Sequence, residues 1–258
     1  MAGAGHVVCI VRIMTYNVHG CVGTDGVRSI ERIVEVIAAY KPDIIALQEL
    51  DVGRARSGGA HQARLIAEAL RVQYHFHPAM RMEEEEYGDA ILSAHPLELV
   101  KAAVLPTPPS RFLRETRGAL WIRTQIDGVR WEVINTHFGL GRAERFAQAQ
   151  ALLSPDWAGA ASAETPLIVV GDFNSRANGR AHRVLTSRFR DAQREAPPYR
   201  HGATFMTRLP FICVDHIFVS AAIKVNAVNI PRTPLTRAAS DHFPLIAELA
   251  LERSSLVL

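Results

Sequence analysis

Residues 165–179 read TPLIVVGDFNSRANG, and this stretch decides how the chain folds. Leu167, Ile168, Val169 and Val170 follow Pro166 without a polar break, and Gly171, Asp172 and Asn174 end the run. A short apolar run bounded by Pro and Gly is the pattern of a strand buried on both faces. Its polar end has two uses. Asp172 and Asn174 can shape a turn, since Asx side chains bond nearby backbone, or they can be held rigidly at the wall of a cleft.

The same pattern occurs twice. Residues 12–20, RIMTYNVHG, alternate as a strand ending in Asn17-x-His19, and residues 131–139, WEVINTHFG, repeat it with Asn135-x-His137. After the first strand, Ile30, Ile33, Val34 and Ile37 recur at helical spacing; after the second, residues 142–153 place Phe146, Ala149, Gln150 and Leu153 on one side. Each helix is followed by a proline and a buried strand, KPDIIALQEL carrying Glu49 and TPLIVVGDFN carrying Asp172 and Asn174. Two strand–helix–strand units related by a pseudo-twofold are therefore expected. Because strand ends on one sheet edge gather distant side chains into a cleft, Asn17 and Glu49 should meet Asn135, His137, Asp172 and Asn174.

Between the repeats, YGDAILS (residues 87–93) and RGALWIRT (residues 117–124) read as strands. Residues 129–136 then pair with the latter across a turn at Asp127-Gly128. LPTPPSRF, residues 105–112, reads as a Pro-rich loop. Near the C-terminus, CVDHIFVS and DHFPLIAEL are two further strands that carry the acid–His pairs Asp215-His216 and Asp241-His242. No shift in composition marks a boundary, so residues 1–258 are read as one domain.

Hydrophobic residues make up 48% of the 258 and charged ones 21%, which excludes extended disorder. A net charge of +3 tolerates an anionic partner but lacks the clustered charge of a dedicated nucleic-acid binder. Lysine occurs only at Lys41, Lys101 and Lys224, the other basic residues being arginine. Cys9, Cys21 and Cys213 have neither paired spacing nor an even count, which implies no disulfide framework or zinc knuckle and fits a reducing, cytoplasmic location. The N-terminal apolar run is broken by Arg12, and no stretch reaches the length of a membrane span.

The groups expected to converge are amides, the carboxylates Glu49, Asp172, Asp215 and Asp241, and the imidazoles His137 and His242. Oxygen donors of this kind suit a hard cation, Mg²⁺ or Mn²⁺, rather than zinc. The chain has no HExxH, Walker loop, dinucleotide glycine fingerprint or GxSxG elbow. Acid–His pairs beside a metal point to hydrolysis of a phosphate ester by in-line attack of water.

TYNVHG, LQEL, YGDAILS, NTHFG, GDFN, VDHIF and SDHFP, in that order, resemble the motif series of the endonuclease/exonuclease/phosphatase superfamily, from about residue 12 to about residue 250. That superfamily includes pancreatic-type deoxyribonuclease, abasic-site endonucleases, inositol polyphosphate 5-phosphatases and neutral sphingomyelinases. The resemblance implies an α/β four-layer sandwich: two packed, mainly antiparallel β-sheets flanked by helices, with the site at one end. It implies Glu49 as chief Mg²⁺ ligand with Asn17 beside it and Asp241 near the metal. Asp172 would orient or deprotonate the attacking water, Asn174 would hold a phosphate oxygen, and His242 would stabilise the transition-state charge. His137 would face the leaving group, Asp215 would support a catalytic His or the metal, and Asn135, Arg117, Tyr87 and Asp89 would contact substrate. Two positions depart from relatives: Asp89 stands where many have Asn, and His216 where the 5-phosphatases have Arg, which argues against that activity.

His61, His75, His77 and His95 lack motif support and are read as ordinary; a lone His19 is read as structural. Glu83–Glu86 is an acidic run that would oppose a long polyanion at the cleft rim. DVGRARSGGAHQ and ETRGAL look most like the branch holding bacterial proteins of unassigned substrate and the lipid-remodelling domains of GPI-anchor processing. The expected substrate is thus a small or lipid-linked phosphate ester. A nuclease would instead display Arg142, Arg145, Arg176 and Arg180 as a stripe beside the site, and a non-catalytic binding module would have no need of Glu49, Asp172, Asn174 and His242 together.

Overall fold

A computed structural model describes residues 7–108, 115–162, 164–197 and 202–253. Residues 109–112 of the expected Pro-rich loop lie outside them. The strands are β1 (Val7–Asn17), β2 (Ile44–Val52), β3 (Gln73–Met82), β4 (Glu85–Ser93), β5 (Leu97–Val104), β6 (Gly118–Ile126), β7 (Val129–His137), β8 (Leu167–Asp172), β9 (Arg190–Asp191), β10 (Asp215–Val219), β11 (Lys224–Asn229) and β12 (Leu245–Arg253). The α-helices among the described residues are α1 (Ile30–Tyr40), α2 (Gln62–Leu70), α3 (Arg142–Leu152), α4 (Arg180–Leu185), α5 (Ala192–Glu195) and α6 (Pro234–Ala239).

The strands form two six-stranded sheets, ordered β11-β12-β1-β2-β4-β3 and β5-β6-β7-β8-β10-β9. Each has one parallel pair at its centre, β1 with β2 and β7 with β8, and is otherwise antiparallel. The repeat in the sequence therefore becomes a repeat of topology: a strand, a covering helix and a parallel strand, flanked on both sides by antiparallel partners.

The apolar run of β8 explains the layering. Ile168 and Val170 join a core layer with Ile13, Ile44, Leu245 and Leu249 of the other sheet. Leu167 and Val169 turn the opposite way, onto Ala149, Leu152 and Phe173 under α3. A strand that buries both faces cannot alternate with polar residues, and each of its aliphatic side chains gains roughly 1.5–3 kcal/mol by leaving water. On the outer face of the first sheet, Met14, Tyr16, Ile45 and Leu47 pack on Ile33, Val36, Ile37 and Ile66 of α1 and α2. The order is helix, sheet, sheet, helix.

Local signals set the ends of these elements. Ser29 Oγ accepts from Arg32 N at 3.2 Å to start α1, and Lys41 ends it in the left-handed region at φ 46°, directly before Pro42. Asp127 and Gly128 both take positive φ, 49° and 70°, as the tight β6–β7 hairpin requires. Gly171, at φ 143°, has no room for a Cβ, which would lie 1.8 Å from Thr136 O on β7. Among the described residues no helix is long and apolar enough to cross a membrane.

Candidate active site

The C-terminal ends of β1, β2, β7 and β8 and the turn into β12 open on one cleft of about 450 Å³, with Asp215 at the start of β10 buried behind it. Each element delivers its side chain for a local reason. In β2 the pairing with β4 slips between Leu47 and Leu50, and Glu49 takes φ 63°. This bulge breaks the strand's alternation: Gln48 turns into the buried space between the sheets, where it bonds Thr15 and Asn135, and Glu49 reaches the cleft.

At the end of β8, Asp172 serves both uses that its sequence suggests. Its Oδ1 accepts from Asn174 N at 2.8 Å, closing an Asx turn. Its Oδ2 faces the cleft and accepts from Asn17 Nδ2 at 3.0 Å; the same nitrogen donates to Glu49 Oε1 at 2.9 Å. Burial and the nearby Asp215 raise the Asp172 carboxyl to about 7, against the pull of His242.

His242 is the cationic partner. Its Nδ1 lies 2.9 Å from Asp215 Oδ2, its Nε2 3.7 Å from Asp172 Oδ2, and its ring 4.7 Å from that of Phe205. Burial alone would lower its pKa, but Asp215 and Asp172 outweigh burial and push it up to about 10, so an imidazolium stands beside the carboxylate. Asp215 is thus a support for His242, with its Oδ1 lacking a hydrogen bond.

His137 behaves in the opposite way. Burial, Arg117 and His242 drive its pKa well below 6.5, leaving a neutral ring. Arg117 Nη1 sits 3.1 Å from Nδ1 and, since a guanidinium only donates, favours the ring proton on Nε2, whereas the Asn174 Nδ2 donor beside Nε2 favours it on Nδ1; the two carboxylates facing Nε2 tip the balance to Nε2–H. That nitrogen lies 3.5 Å from Asp172 Oδ2 and 4.0 Å from Glu49 Oε1, with the Asn174 amide 3.1 Å away. Asn174, at φ 47°, also donates to Phe138 O at 2.9 Å and lines the cleft. Arg117 is buried, bonds Tyr87 and lies 2.9 Å from Glu115 Oε2, so its salt bridge and its place on the cleft wall coexist.

Other expected residues fall elsewhere. Asn135 is fully buried between the sheets, donating to Leu47 O and Ala90 O at 2.9 Å and accepting from Gln48; it has no access to a substrate. Asn135 and His137, two residues apart, share a face of β7, and only His137, the last residue of the strand, reaches its end. Asp89 is buried behind Glu49, whose backbone N–H it accepts, and burial raises its carboxyl to about 8. Asn17 accepts from His19 N at 3.0 Å through its oxygen, and its nitrogen bridges Glu49 and Asp172. On the rim, exposed His19 and half-buried Asp241 lie 3.7 Å apart, and Tyr87 lines the wall. Cys21 is fully buried.

Two features escape sequence reading. Asp51, fully buried, holds Arg56 in a fork at 2.9 and 2.7 Å beside the Tyr87 ring; DVGRARSGG carried that signal only as a cluster of Arg near an acid. Behind the site, Asp191 Oδ2 lies 2.8 Å from His182 Nε2 and 3.1 Å from His216 Nδ1. His216 Nε2 reaches Ser175 O at 2.9 Å, tying β10 to the turn that carries Asp172 and Asn174.

The donor set fits a hard divalent cation at one place. The Glu49 and Asp172 carboxylates converge there, bridged by Asn17 Nδ2, and His137 Nε2, which carries the ring proton, borders the place without offering a lone pair. Ligand atoms of Asp172, Asp215 and His242 also lie within 4.8 Å of one another. There, however, the His242 imidazolium already lies between the two carboxylates and Asp215 is buried, whereas Glu49 keeps oxygen capacity facing the cleft.

The chain is similar to YbhP of Escherichia coli K12, 25% identical with 93% of this chain and 96% of YbhP covered. Its fold is similar to that of an endonuclease/exonuclease/phosphatase family protein of Bacteroides thetaiotaomicron, at TM-score 0.76 and 19% identity over 95% of this chain and 99% of the other. It also resembles the fold of a mannosyl-6-phosphatase of Bacteroides thetaiotaomicron VPI-5482, at TM-score 0.74 and 19% identity over 93% and 99%. The profile of the Endonuclease/Exonuclease/phosphatase family matches residues 14–242, from the middle of β1 to His242. That match spans most of the chain and contains every strand end that builds the cleft, so the protein belongs to the endonuclease/exonuclease/phosphatase family.

Proposed function

We propose that the chain is one catalytic domain, a Mg²⁺-dependent phosphoesterase that hydrolyses a small or lipid-linked phosphodiester or phosphomonoester by in-line attack of water. One observation carries the reading: the buried Asp172 carboxylate faces the cleft 3.7 Å from the His242 imidazolium, with Glu49 bound to the same Asn17 amide. A base, a fixed positive charge and a free oxygen ligand in one cleft are the parts that phosphoryl transfer to water needs.

Glu49 would hold the cation, with Asp241 near it, and Mn²⁺ would serve as well as Mg²⁺. When bound, the ion supplies Lewis-acid polarisation of the phosphate and neutralises its charge. Asp172 Oδ2 orients the attacking water and takes its proton, held in place by Asn17. His242 donates to a phosphate oxygen from Nε2 while Asp215 fixes the ring through Nδ1. Asn174 holds a phosphate oxygen. On the leaving-group side, His137 offers Nε2–H as a hydrogen-bond donor, with Arg117 and the two facing carboxylates setting its tautomer. Tyr87 contributes to the substrate wall. The buried free cysteines support a cytoplasmic location.

A nuclease is the second reading. Arg142 and Arg176 are exposed at the start of α3 and in the turn after Asn174. Arg145 and Arg180 lie on the same flank but are engaged, the first with Leu140 O and the second over the Phe146 ring at 3.6 Å. The test is hydrolysis of bis(p-nitrophenyl) phosphate and nicking of a supercoiled plasmid carrying abasic sites, both in Mg²⁺. We expect hydrolysis of the diester, lost with EDTA and in Asp172→Ala, and an intact plasmid. Nicking lost in both controls would establish the nuclease; folded protein that hydrolyses neither, nor a phosphomonoester, would overturn the phosphoesterase reading.

A further inference from the structure

The three most exposed large apolar side chains among the described residues are Leu209 at 75%, Leu140 at 74% and Phe211 at 65%. One is on the wall of the cleft and two are on a loop that adjoins it, bonded through Thr207 N to Asp241 O. Leu140 lines the cleft, and Leu209 and Phe211 lie on a loop that starts at the cleft-lining Phe205. Met206, on that loop, and Val27, beside the cleft-lining Arg28, are exposed as well. A single exposed Leu is ordinary on a protein surface, but apolar tips grouped around one opening mark a contact.

The loop is built, not slack. Thr204 N and Phe205 N donate to Ile212 O at 2.9 and 3.0 Å, Thr207 N to Asp241 O at 3.1 Å, and Leu209 N to Met206 O at 2.8 Å. Arg208 bonds Thr24 O on the neighbouring loop. The backbone thus presents Leu209 and Phe211 to solvent while its own polar groups are satisfied.

Charge identifies what covers them. Each apolar tip has arginine next to it: Arg28 after Val27, Arg142 and Arg145 after Leu140, and Arg208 before Leu209. Residues 203–214 contain no acid, and Glu144, between the two arginines of α3, is buried. The acidic run is in the β3–β4 hairpin, with Glu85 and Glu86 paired to Arg54 and Arg81, and the acids near the tips or at the opening are engaged, Asp25 with Arg32, Glu115 with Arg117 and Asp241 beside His19. Duplex DNA would engage the arginines but leave Leu and Phe in water. A layer of anionic headgroups over acyl chains meets both, and it holds phosphate esters at the depth of the opening.

We propose that the cleft mouth docks on an anionic phospholipid surface. Leu140, Leu209 and Phe211 enter the interface, and Arg28 and Arg142 meet headgroup phosphates. Resting on the phosphoesterase reading above, this makes the substrate the phosphate ester of a membrane lipid.

The test is co-sedimentation of the full chain with phosphatidylcholine vesicles, pure or containing about a third phosphatidylglycerol, the anionic component that attracts basic surfaces. The Leu209→Asp/Phe211→Asp double variant is compared with Val104→Asp, which changes a 58% exposed side chain on β5, and far-UV circular dichroism checks that each is folded. We expect the wild type and Val104→Asp to sediment with anionic vesicles and the double variant to partition at least about tenfold less. Wild type that stays in the supernatant, or a folded double variant that sediments equally, overturns the proposal. Retention of the wild type by plasmid DNA without vesicle binding also overturns it and favours a nucleic-acid surface. Wild-type hydrolysis of the soluble diester is read in parallel. Hydrolysis without vesicle binding removes only the docking surface, and vesicle binding without hydrolysis of any ester removes only the phosphoesterase reading.

Discussion

At the residue scale, the chemistry turns on two groups whose environments push their proton affinities apart. Asp172 is raised to about 7 by burial and Asp215, while His242, despite burial, is raised to about 10 by Asp215 and Asp172. A base must be ionised, so activity falls as pH drops through the Asp172 value, and a bound cation, which favours the carboxylate, moves that limb below about 7. His242 must stay charged, so activity falls again near pH 10. The pH profile of kcat/KM on a soluble diester checks both limbs. His242→Gln should lower kcat about 10²–10³-fold and erase the alkaline limb; an unchanged alkaline limb in that variant would assign it to another group. Glu49 is tested separately. Glu49→Gln keeps the shape but loses the charge, so the Mg²⁺ concentration for half-maximal rate should rise about 10–100-fold, with circular dichroism unchanged. An unaltered Mg²⁺ titration would remove Glu49 as the holder of the ion.

At the scale of elements, a few irregularities aim these side chains. The β2 bulge turns Glu49 outward, and no residue in LQEL announces it, because a bulge is set by pairing with a distant strand, here β4. The turn after β8 is supported from behind by His216. Burial lowers the pKa of this ring, but the hydrogen bond and charge of Asp191 raise it further, and the net shift is upward. An imidazole raised above its unfolded value near 6.5 contributes stability that is complete below about pH 6.5 and is lost as pH rises through the folded value. His216→Gln removes one of the two imidazoles on the buried Asp191 carboxylate, leaving His182, and should cost about 1–3 kcal/mol at low pH. The gap in melting temperature between wild type and variant should then be widest near pH 6 and narrow in alkaline buffer. A gap that is constant with pH would show that shape, not charge, is what His216 supplies.

At the scale of the whole molecule, the duplicated strand–helix–strand pattern was legible in the sequence because periodicity and Pro or Gly boundaries are local, and it fixes both sheets and the edge on which the cleft lies. What joins the sheets was not legible. Asn135 shares the N-x-H pattern of the repeat, yet it sits between the sheets, bonded to two carbonyls of the facing sheet and to Gln48. Contacts across 45 to 88 residues depend on how two sheets stack, which alternation along one strand does not encode. The asymmetry between Asn135 and Asn17 follows: one ends its strand at the cleft, and the other lies a step short of the end. Asn135→Ala takes the amide donor from two buried carbonyls and leaves the Gln48 amide with only Thr15 and Ala46 as acceptors, each lost bond worth about 1–3 kcal/mol. The variant should therefore unfold at a markedly lower denaturant concentration, by roughly 2–4 kcal/mol after partial relaxation. Measured well below its transition, it should keep the wild-type KM and its metal dependence. A raised KM with unchanged stability would mean that the substrate reaches Asn135 after all, and that the two sheets part more deeply at the cleft than their packing indicates.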